Sequence, residues 1–241
     1  MILKNLFFPP KCILCNKVLP LKQKSPNVCS KCIPMLALLP TRTCVKCGKP
    51  LDIAHDKPFC PFCMKQHPGL SAVIAPFLYK DDVRESILRF KFRNRPEYAE
   101  SYAIYLAERL KAYNLTHFDA LVPVPISKKR YRERGYNQSY LLAKQLSKLL
   151  NIPVQNLLIK HTHTQRQSTL SKKERLESPK KAFACKTTDT LPHTVLLIDD
   201  IFTTGATVSA CSYHLRKAGI PKVYVATLSV HLPALEQNHN D

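Results

Sequence analysis

The chain of 241 residues is long enough for one medium domain, or for a medium domain and a small one. Its 37 Lys and Arg residues exceed its 17 Asp and Glu residues, and the formal charge of +20 favours nucleic acid or an anionic membrane surface as partner. A generally basic surface without a dedicated partner is the alternative. The apolar runs are far shorter than the roughly 20 residues of a membrane span, so a transmembrane protein is not expected.

Residues 1–12 do not have the pattern of a signal peptide. They contain Lys4 and two prolines where a signal peptide needs an unbroken apolar stretch. We therefore expect the protein in the cytosol, where cysteines stay reduced and bind metal rather than form disulfides.

Eight of the ten cysteines occur as four Cys-x-x-Cys pairs before residue 64. Two such pairs can supply the four thiolates of a tetrahedral zinc site, so four pairs predict two structural zinc sites. We expect sequential pairing, in which each site closes a short ribbon; a cross-braced arrangement, with the first pair joined to the third, stays open. The predicted ligands are Cys12, Cys15, Cys29 and Cys32 for the first site, and Cys44, Cys47, Cys60 and Cys63 for the second.

A second domain, residues 67–241, is predicted to follow the cysteine module of residues 1–66. Residues 72–79 have the composition of a buried strand, and residues 83–92 have the spacing of an amphipathic helix. The apolar face of this helix is expected to bury Phe92. Its other face is expected to present cations around Phe90, namely Arg89 and Lys91, with Arg93 just beyond.

A second basic segment follows the next predicted strand. Residues 119–124 have the composition of that strand, and residues 135–150 that of a helix. Between them lie five cations within seven residues, at the carboxyl end of a strand, where open α/β sheets bind their ligands. The segment therefore predicts an anion site. Its cations are Lys128, Lys129, Arg130, Arg132 and Arg134, and its rings are Tyr131 and Tyr136.

A long polar segment separates the last predicted strands. Residues 154–159 are typical of a strand, whereas residues 160–181 are polar, basic and without glycine, and we expect them to form a flap over the ligand site. His161 and His163, in this segment, are expected to be exposed rather than metal-bound. Residues 222–230 are predicted to close the sheet.

The clearest chemistry lies at residues 194–207, TVLLIDDIFTTGAT. An aliphatic run typical of a buried parallel strand ends at two acids, and a hydroxyl-rich turn leads into a helix. N–H groups of such a turn and helix start bind phosphate, and Gly205 permits a close approach. Acids here favour a ribose 5-phosphate, whose hydroxyls they bind, together with a divalent cation. The predicted ligands are Asp199, Asp200, Thr203, Thr204, Gly205, Ala206 and Thr207.

This pattern is neither a Walker loop nor a GxGxxG turn. It resembles the PRPP (phosphoribosyl pyrophosphate) motif of type I phosphoribosyltransferases, and nearly the whole chain resembles the ComF family, which is associated with natural competence. The resemblance also rests on the cysteine pairs, on Tyr79 with the Lys91-Phe92 step, on VPVP at residues 122–125 and on RGYNQ at residues 134–138. The flap departs from the family pattern, with Ser178 where Asn is common and Lys181 where Gly is usual.

The resemblance implies an α/β fold: a type I phosphoribosyltransferase-like parallel sheet flanked by helices, preceded by a small four-cysteine zinc-ribbon module. It implies that Asp199 and Asp200 hold the ribose hydroxyls of PRPP and that residues 203–207 hold its 5-phosphate, with Mg²⁺ accompanying PRPP. Lys128, Lys129 and Arg130 would then lie near the pyrophosphate. No enzymatic role follows for Arg134, Asn137 or Gln138.

Two functions stay open at this point. The first is a competence protein that handles incoming single-stranded DNA in the cytosol, or at the inner membrane with other DNA-uptake or recombination proteins, and that has PRPP or a related sugar phosphate as ligand. The second is an active phosphoribosyltransferase that transfers ribose 5-phosphate from PRPP to a base or amine. We favour the first because no segment is typical of a nucleobase site. The DNA contacts would be Arg89, Lys91, Arg93, Arg130, Arg132 and Arg134, with Tyr131 and Tyr136 stacking on bases.

Overall fold

The computed structural model describes residues 9–20, 26–52, 56–66, 70–161, 182–186 and 189–232. Within them the strands are β1 (Val73–Ile74), β2 (Phe77–Leu78), β3 (Ala120–Pro123), β4 (Leu158–Lys160), β5 (Phe183–Cys185), β6 (Thr194–Phe202) and β7 (Lys222–Val230). The helices are α1 (Pro61–Gln66), α2 (Asp81–Phe92), α3 (Tyr98–Ala112), α4 (Lys128–Arg134), α5 (Gln138–Leu150) and α6 (Ala206–Lys217), and Ile33–Met35 form a 3-10 turn. No helix in these ranges is long and apolar enough to cross a membrane.

A parallel sheet lies at the centre of the fold. Its order is β1-β7-β6-β3, and β2 pairs with the far end of β7. The strand β6 lies between β3 and β7, with Leu197 paired with Val122 on one side and with Val225 on the other. Its aliphatic run is buried on both faces of the sheet, as is typical of a central parallel strand. The predicted α/β architecture, a parallel sheet flanked by helices, is confirmed.

The two faces of the sheet bury alternate residues of β6. Leu196 and Ile198 pack with the apolar residues of α2, α3 and α5, whereas Val195 and Leu197 pack with those of α6 and β5. This alternation follows from the two-residue period of a strand. The sheet therefore separates two cores.

Three predicted strands have different bounds in the structure. Residues 72–79 form two short strands because Pro76, which lies between them, has no N–H to donate to a ladder. Residues 154–159 do not form one strand, since Val154 makes an isolated bridge to β3 and the chain then turns into the antiparallel pair β4–β5. The strand β6 does not end at the acids: it pairs with β7 as far as Phe202.

The helix α2 buries a different ring from the one that the sequence predicts. Phe90 is completely buried with Val83 and Ile87, whereas Phe92 is 61% exposed. The expectation that Phe92 faces the core is therefore wrong. The buried positions follow the spacing i, i+4, i+7, and Phe92 lies two residues beyond that stripe.

The basic segment after β3 is a helix rather than a loop. Ser127 caps α4 by accepting a hydrogen bond from the N–H of Arg130 (3.3 Å), and Gly135 ends it. Asn137 then caps α5 by accepting a hydrogen bond from the N–H of Ser139 (3.0 Å). The predicted helix at residues 135–150 therefore begins at Gln138.

The cysteine module packs directly against the sheet domain. Ile13 of the first ribbon shares a core with Ile87 and Leu106, and Cys44 of the second ribbon shares the other core with Val73. The boundary at residues 66 and 67 stays a prediction, because residues 67–69 lie outside the described ranges.

Tyrosines of α3 support the same packing. Tyr98 and Tyr102 are fully buried, and the hydroxyl of Tyr98 donates to Asn16 of the first ribbon (3.1 Å). Tyr105 is partly buried and packs edge-on against Phe77, with ring centroids 5.1 Å apart. The tyrosines therefore pack between the first ribbon and the sheet, and this packing accounts for their burial.

Candidate functional site

The eight paired cysteines form two groups, and within each group the sulfur atoms all lie within 4.8 Å of one another. The first group contains Cys12, Cys15, Cys29 and Cys32, and the second contains Cys44, Cys47, Cys60 and Cys63. The pairing is therefore sequential, as expected, and the cross-braced alternative is excluded.

The spacing of the sulfur atoms fits zinc. The Sγ atoms of Cys15 and Cys29 are 3.8 Å apart, as are those of Cys47 and Cys60. A tetrahedron with Zn–S bonds of about 2.3 Å has edges of about 3.8 Å. The N–H of Cys60 also donates to Cys44 Sγ (3.2 Å), which stabilises a thiolate. The two groups support two structural zinc sites, whose four protein ligands leave no position for a substrate.

A second site lies where β6 turns into α6. Thr203 and Thr204 are exposed in this turn, Gly205 precedes the helix, and the N–H of Ala206 donates to Thr204 Oγ1 (3.4 Å). The first N–H groups of a helix have no partners within it and attract anions. The turn borders a small, shallow pocket lined by Asp199, Ile201, Phe202, Thr203, Gly205, Ala206, Thr207 and Val208.

The two acids of β6 have different partners. Asp199 Oδ1 accepts hydrogen bonds from Ser139 Oγ (3.2 Å) and from the N–H of Asp200 (2.9 Å). Burial raises the pKa of Asp199 to about 7, and the neighbouring charge of Asp200 adds to the rise. Asp200 Oδ1 lies 2.9 Å from Nζ of Lys91, and the two side chains are only 14% and 15% exposed.

Lys160, which the sequence pattern places at the start of the predicted flap, belongs instead to the antiparallel pair β4–β5. It ends β4, where its ammonium lies 4.9 Å from the ring centroid of Phe183. Burial lowers its pKa, the charge of Arg130 lowers it further, and the charge of Asp199 opposes this. The charge of Lys160 therefore interacts with that of Asp199. Since Leu158 is buried and Ile159 exposed, the two-residue period of a strand was the signal that could have found it.

Two of the cations predicted to contact DNA are engaged within the protein. Arg89 donates to the carbonyl oxygens of Ile13 (3.2 Å) and Leu14 in the first ribbon. Lys91 is paired with Asp200. Both residues therefore stabilise the fold in this structure, and their contact with DNA stays a prediction.

Side chains of the RGYNQ segment also make contacts within the protein. Arg134 lies over the ring of Phe92 at 4.6 Å and donates to Gln138 Oε1 (2.9 Å). The hydroxyl of Tyr136 donates to the carbonyl of Phe90 and accepts from the N–H of Arg95 (3.1 Å). The ring of Tyr136 is consequently less available for stacking than expected.

The remaining predicted cations lie on the surface near this site. The helices α2 and α4 are in contact, so Arg93, just past α2, belongs to the same surface as α4. Its exposed members are Arg93, Lys128, Lys129, Arg130, Tyr131 and Arg132, and we call this surface the α4 surface. Its binding of pyrophosphate or DNA stays a prediction.

The predicted flap is described only at its start. His161 is exposed, as expected, and its N–H donates to the carbonyl of Ala182 (2.9 Å). His163, Ser178 and Lys181 lie outside the described residues.

Comparisons with known proteins agree with this two-part organisation. The double zinc ribbon domain matches residues 3–68, and the phosphoribosyl transferase domain matches residues 137–236. Among solved structures, glutamine PRPP amidotransferase from Bacillus subtilis complexed with ADP and GMP aligns with this chain at 19% identity and a TM-score of 0.40, covering 58% of this chain and 30% of that chain.

Three curated relatives match over most of their lengths. Competence protein F of Haemophilus influenzae is 35% identical over 228 residues, covering 91% of this chain and 96% of that protein. Competence protein ComFC of Bacillus subtilis is 30% identical over 221 residues, covering 86% and 89%. DNA utilization protein YhgH of Escherichia coli is 31% identical over 226 residues, covering 90% and 95%. On the strength of these matches, the chain belongs to the ComF family, and it joins a double zinc ribbon to a phosphoribosyltransferase domain.

Proposed function

We propose that this protein acts in natural transformation, where it handles incoming single-stranded DNA, and that its β6–α6 turn binds PRPP or a related sugar phosphate. The observation that carries the proposal is the position of the acid pair Asp199–Asp200 near the end of β6, just before the turn that leads into α6, with Asp199 lining the pocket at that turn. The names of the relatives, competence proteins and a DNA utilization protein, support the DNA-related role. The protein works in the cytoplasm, where its thiols stay reduced, and at the inner membrane with other DNA-uptake or recombination proteins.

The sugar phosphate is held by two kinds of group. The turn at residues 203–207 binds the 5-phosphate through N–H and hydroxyl donors, and the acids accept hydrogen bonds from the ribose hydroxyls. Lys128 and Lys129 contribute to binding the pyrophosphate. Mg²⁺ neutralises the pyrophosphate oxygens, since oxygen anions are its preferred ligands.

The first test removes both acids. PRPP with Mg²⁺ should raise the melting temperature of the wild-type protein, because it binds only the folded state. The double substitution Asp199→Ala and Asp200→Ala should abolish this shift, since the ribose hydroxyls lose their acceptors. A thermal shift assay measures it, with unfolding of the apo variant as the control. Normal PRPP binding by the double variant would contradict the assignment.

DNA binding is assigned to the α4 surface. Its arginines neutralise backbone phosphates, and the exposed ring of Tyr131 stacks on a base, which is worth about 1–3 kcal/mol. This contact needs no particular base, so binding should show little sequence preference.

The test of this surface is a charge-matched pair of triple variants. Replacement of Arg93, Arg130 and Arg132 by alanine should lower the affinity for a labelled single-stranded oligonucleotide, measured by fluorescence anisotropy. The slope of log affinity against log salt concentration should also become shallower by about 2, because each neutralised phosphate contributes about 0.7 to that slope. The matched control replaces three exposed lysines elsewhere, Lys111, Lys144 and Lys148.

Equal loss in both triple variants would show that binding follows net charge rather than the α4 surface. PRPP added to the wild-type complex tests whether the two ligands compete near Arg130. Transformation efficiency in cells that carry each variant connects the binding result to natural competence.

An active phosphoribosyltransferase is the second candidate, favoured by the match of the phosphoribosyl transferase domain. In that case pyrophosphate is released from PRPP only when a base or amine is present. A turnover assay against a panel of bases and amines, with and without single-stranded DNA, separates the two functions. Acceptor-dependent release would favour the enzyme.

A further inference from the structure

The last turn of α2 places Lys91 beside Asp200. Lys91 Nζ lies 2.9 Å from Asp200 Oδ1, and both side chains are mostly buried. A partly buried ion pair needs a fixed geometry, because each charge has lost much of its hydration. The contacts that hold Lys91 therefore also determine where Asp200 points.

The RGYNQ segment holds the backbone on either side of Lys91. The hydroxyl of Tyr136 donates to the carbonyl oxygen of Phe90, and Gln138 Nε2 approaches the carbonyl oxygen of Lys91 at 3.5 Å. The final carbonyl groups of a helix have no partners within it, so these donors satisfy groups that the helix leaves open.

Arg134 makes a third contact with the end of α2. The guanidinium of Arg134 lies over the ring of Phe92 at 4.6 Å and is held there by Gln138 Oε1 (2.9 Å). The residue after Lys91 is thereby held as well as the residue before it. The exposed position of Phe92, which the sequence pattern did not predict, is explained by this contact.

The same segment positions the other acid. Asn137 Nδ2 donates to the carbonyl of Val124 (3.0 Å), and its Oδ1 accepts from the N–H of Ser139 (3.0 Å). Ser139 Oγ then donates to Asp199 Oδ1 (3.2 Å). Residues 134–139 thus orient both acids. Ser139 holds Asp199 through its hydroxyl, and residues 134–138 hold Asp200 indirectly through Lys91.

We infer that Lys91 is a positioning residue of the sugar-phosphate site, held by residues 134–138, and that it keeps the Asp200 carboxylate aimed at a ribose hydroxyl. This inference rests on the proposed function. Adjacent carboxylates repel each other, and one cation on Asp200 relieves the repulsion while leaving the second carboxylate oxygen available to the sugar. Lys91 thus acts on the sugar through Asp200 and does not itself touch the phosphate.

The test compares ribose 5-phosphate with 2,3-dideoxyribose 5-phosphate, which lacks both hydroxyls. The wild-type protein should prefer ribose 5-phosphate. Lys91→Gln should lower the affinity for ribose 5-phosphate about tenfold, the order expected for a lost charge-assisted interaction, and should reduce the preference. Lys91→Arg keeps the charge and should restore most of both. Lys144→Gln removes the same charge from an exposed position on α5 and should change neither.

Isothermal titration calorimetry of the zinc-loaded protein measures both affinities, and circular dichroism checks that each variant is folded. If Lys91→Gln does not fold, Lys91→Met takes its place, since methionine preserves the apolar stem. Wild-type affinity and preference in the folded charge-removing variant would overturn the inference and leave the proposed function standing. A wild-type protein that binds neither ribose 5-phosphate nor PRPP would overturn the proposed function and the inference with it.

Discussion

The role of each basic side chain near the site depends on the group that it contacts. Arg89, Lys91 and Lys160 all belong to basic stretches, yet Arg89 is bound by ribbon carbonyls, Lys91 by a carboxylate, and Lys160 lies over an aromatic ring. Each of these contacts compensates for lost hydration. A net charge of +20 therefore overstates the charge that is available to DNA.

The raised pKa of Asp199 predicts how stability depends on pH. The pKa is about 7 in the folded protein against an ordinary value of 3.8, so between these values the folded state holds a proton that the unfolded state releases. The free energy of unfolding therefore falls as pH rises through this range. Asp199→Asn removes the cost of ionisation and should stabilise the apo protein above pH 7, by about 1.4 kcal/mol for each pH unit of the shift at most.

Thermal melts of the wild type and Asp199→Asn from pH 5 to pH 8 measure this difference. The advantage of the variant should shrink as the pH falls towards 5, because wild-type Asp199 then takes up its proton. Asp119→Asn, which alters a carboxylate that caps the N–H of Thr194 (2.7 Å), is the control and should destabilise instead. A pH-independent difference for Asp199→Asn would contradict the assigned pKa.

At the scale of elements, two glycines in turns have similar φ angles but different amounts of space for a side chain. Gly48, in the second ribbon, has φ +71, and a Cβ there would lie 3.0 Å from Val230 Cγ2 at the end of β7. Gly135, which ends α4, has φ +78, and a Cβ would meet nothing within 4 Å. The backbone conformations match, so only the packing differs.

We therefore expect Gly48→Ala to destabilise the protein more than Gly135→Ala. Both substitutions incur about 1–2 kcal/mol of left-handed backbone strain. Gly48→Ala adds a steric clash with the sheet, of about 1–3 kcal/mol. Urea unfolding of the two variants gives the difference directly. Equal losses would show that the second ribbon does not pack against β7 as described.

Over the whole molecule, the zinc ribbons are part of both cores. Ile13 packs with α2 and α3 on one face of the sheet, and Cys44 packs with Val73 on the other. The sequence suggested a separate module, because Cys-x-x-Cys pairs form compact sites by themselves. The packing instead couples the metal sites to the stability of the sheet.

Loss of one zinc site should consequently affect the entire chain. Elemental analysis should find two zinc ions per chain, and Cys44→Ser should reduce this to one. The variant should unfold in a single transition, with a loss of more than about 4 kcal/mol, as is typical when a metal site is removed. Cys185→Ser, outside both cysteine groups, is the matched control and should keep both ions.

Differential scanning calorimetry separates the two possibilities. Two transitions in Cys44→Ser, the second at the wild-type temperature, would mean that the sheet domain folds independently of its ribbons. A single transition at a lower temperature agrees with the shared cores.

Features that depend on local spacing were predictable from the sequence. The four Cys-x-x-Cys pairs predicted two sequential metal sites, because a knuckle aims both thiolates at one point regardless of its surroundings. The order of strand, turn and helix around Gly205 was also predictable, since an aliphatic run, two acids and a hydroxyl-rich turn together allow few other arrangements. The parallel sheet followed from the same pattern.

Only the tertiary structure decided which side chains meet across elements. Phe90 rather than Phe92 is buried, and Lys91 reaches Asp200. At this end of α2, α4 is in contact and Gln138 of α5 donates to the carbonyl of Lys91. Helical periodicity gives the direction of a side chain relative to its own helix, but not the group that lies opposite. The partner of a cation is set by packing between segments that are distant in the chain, and for that reason the sequence alone could not distinguish a DNA contact from an internal ion pair.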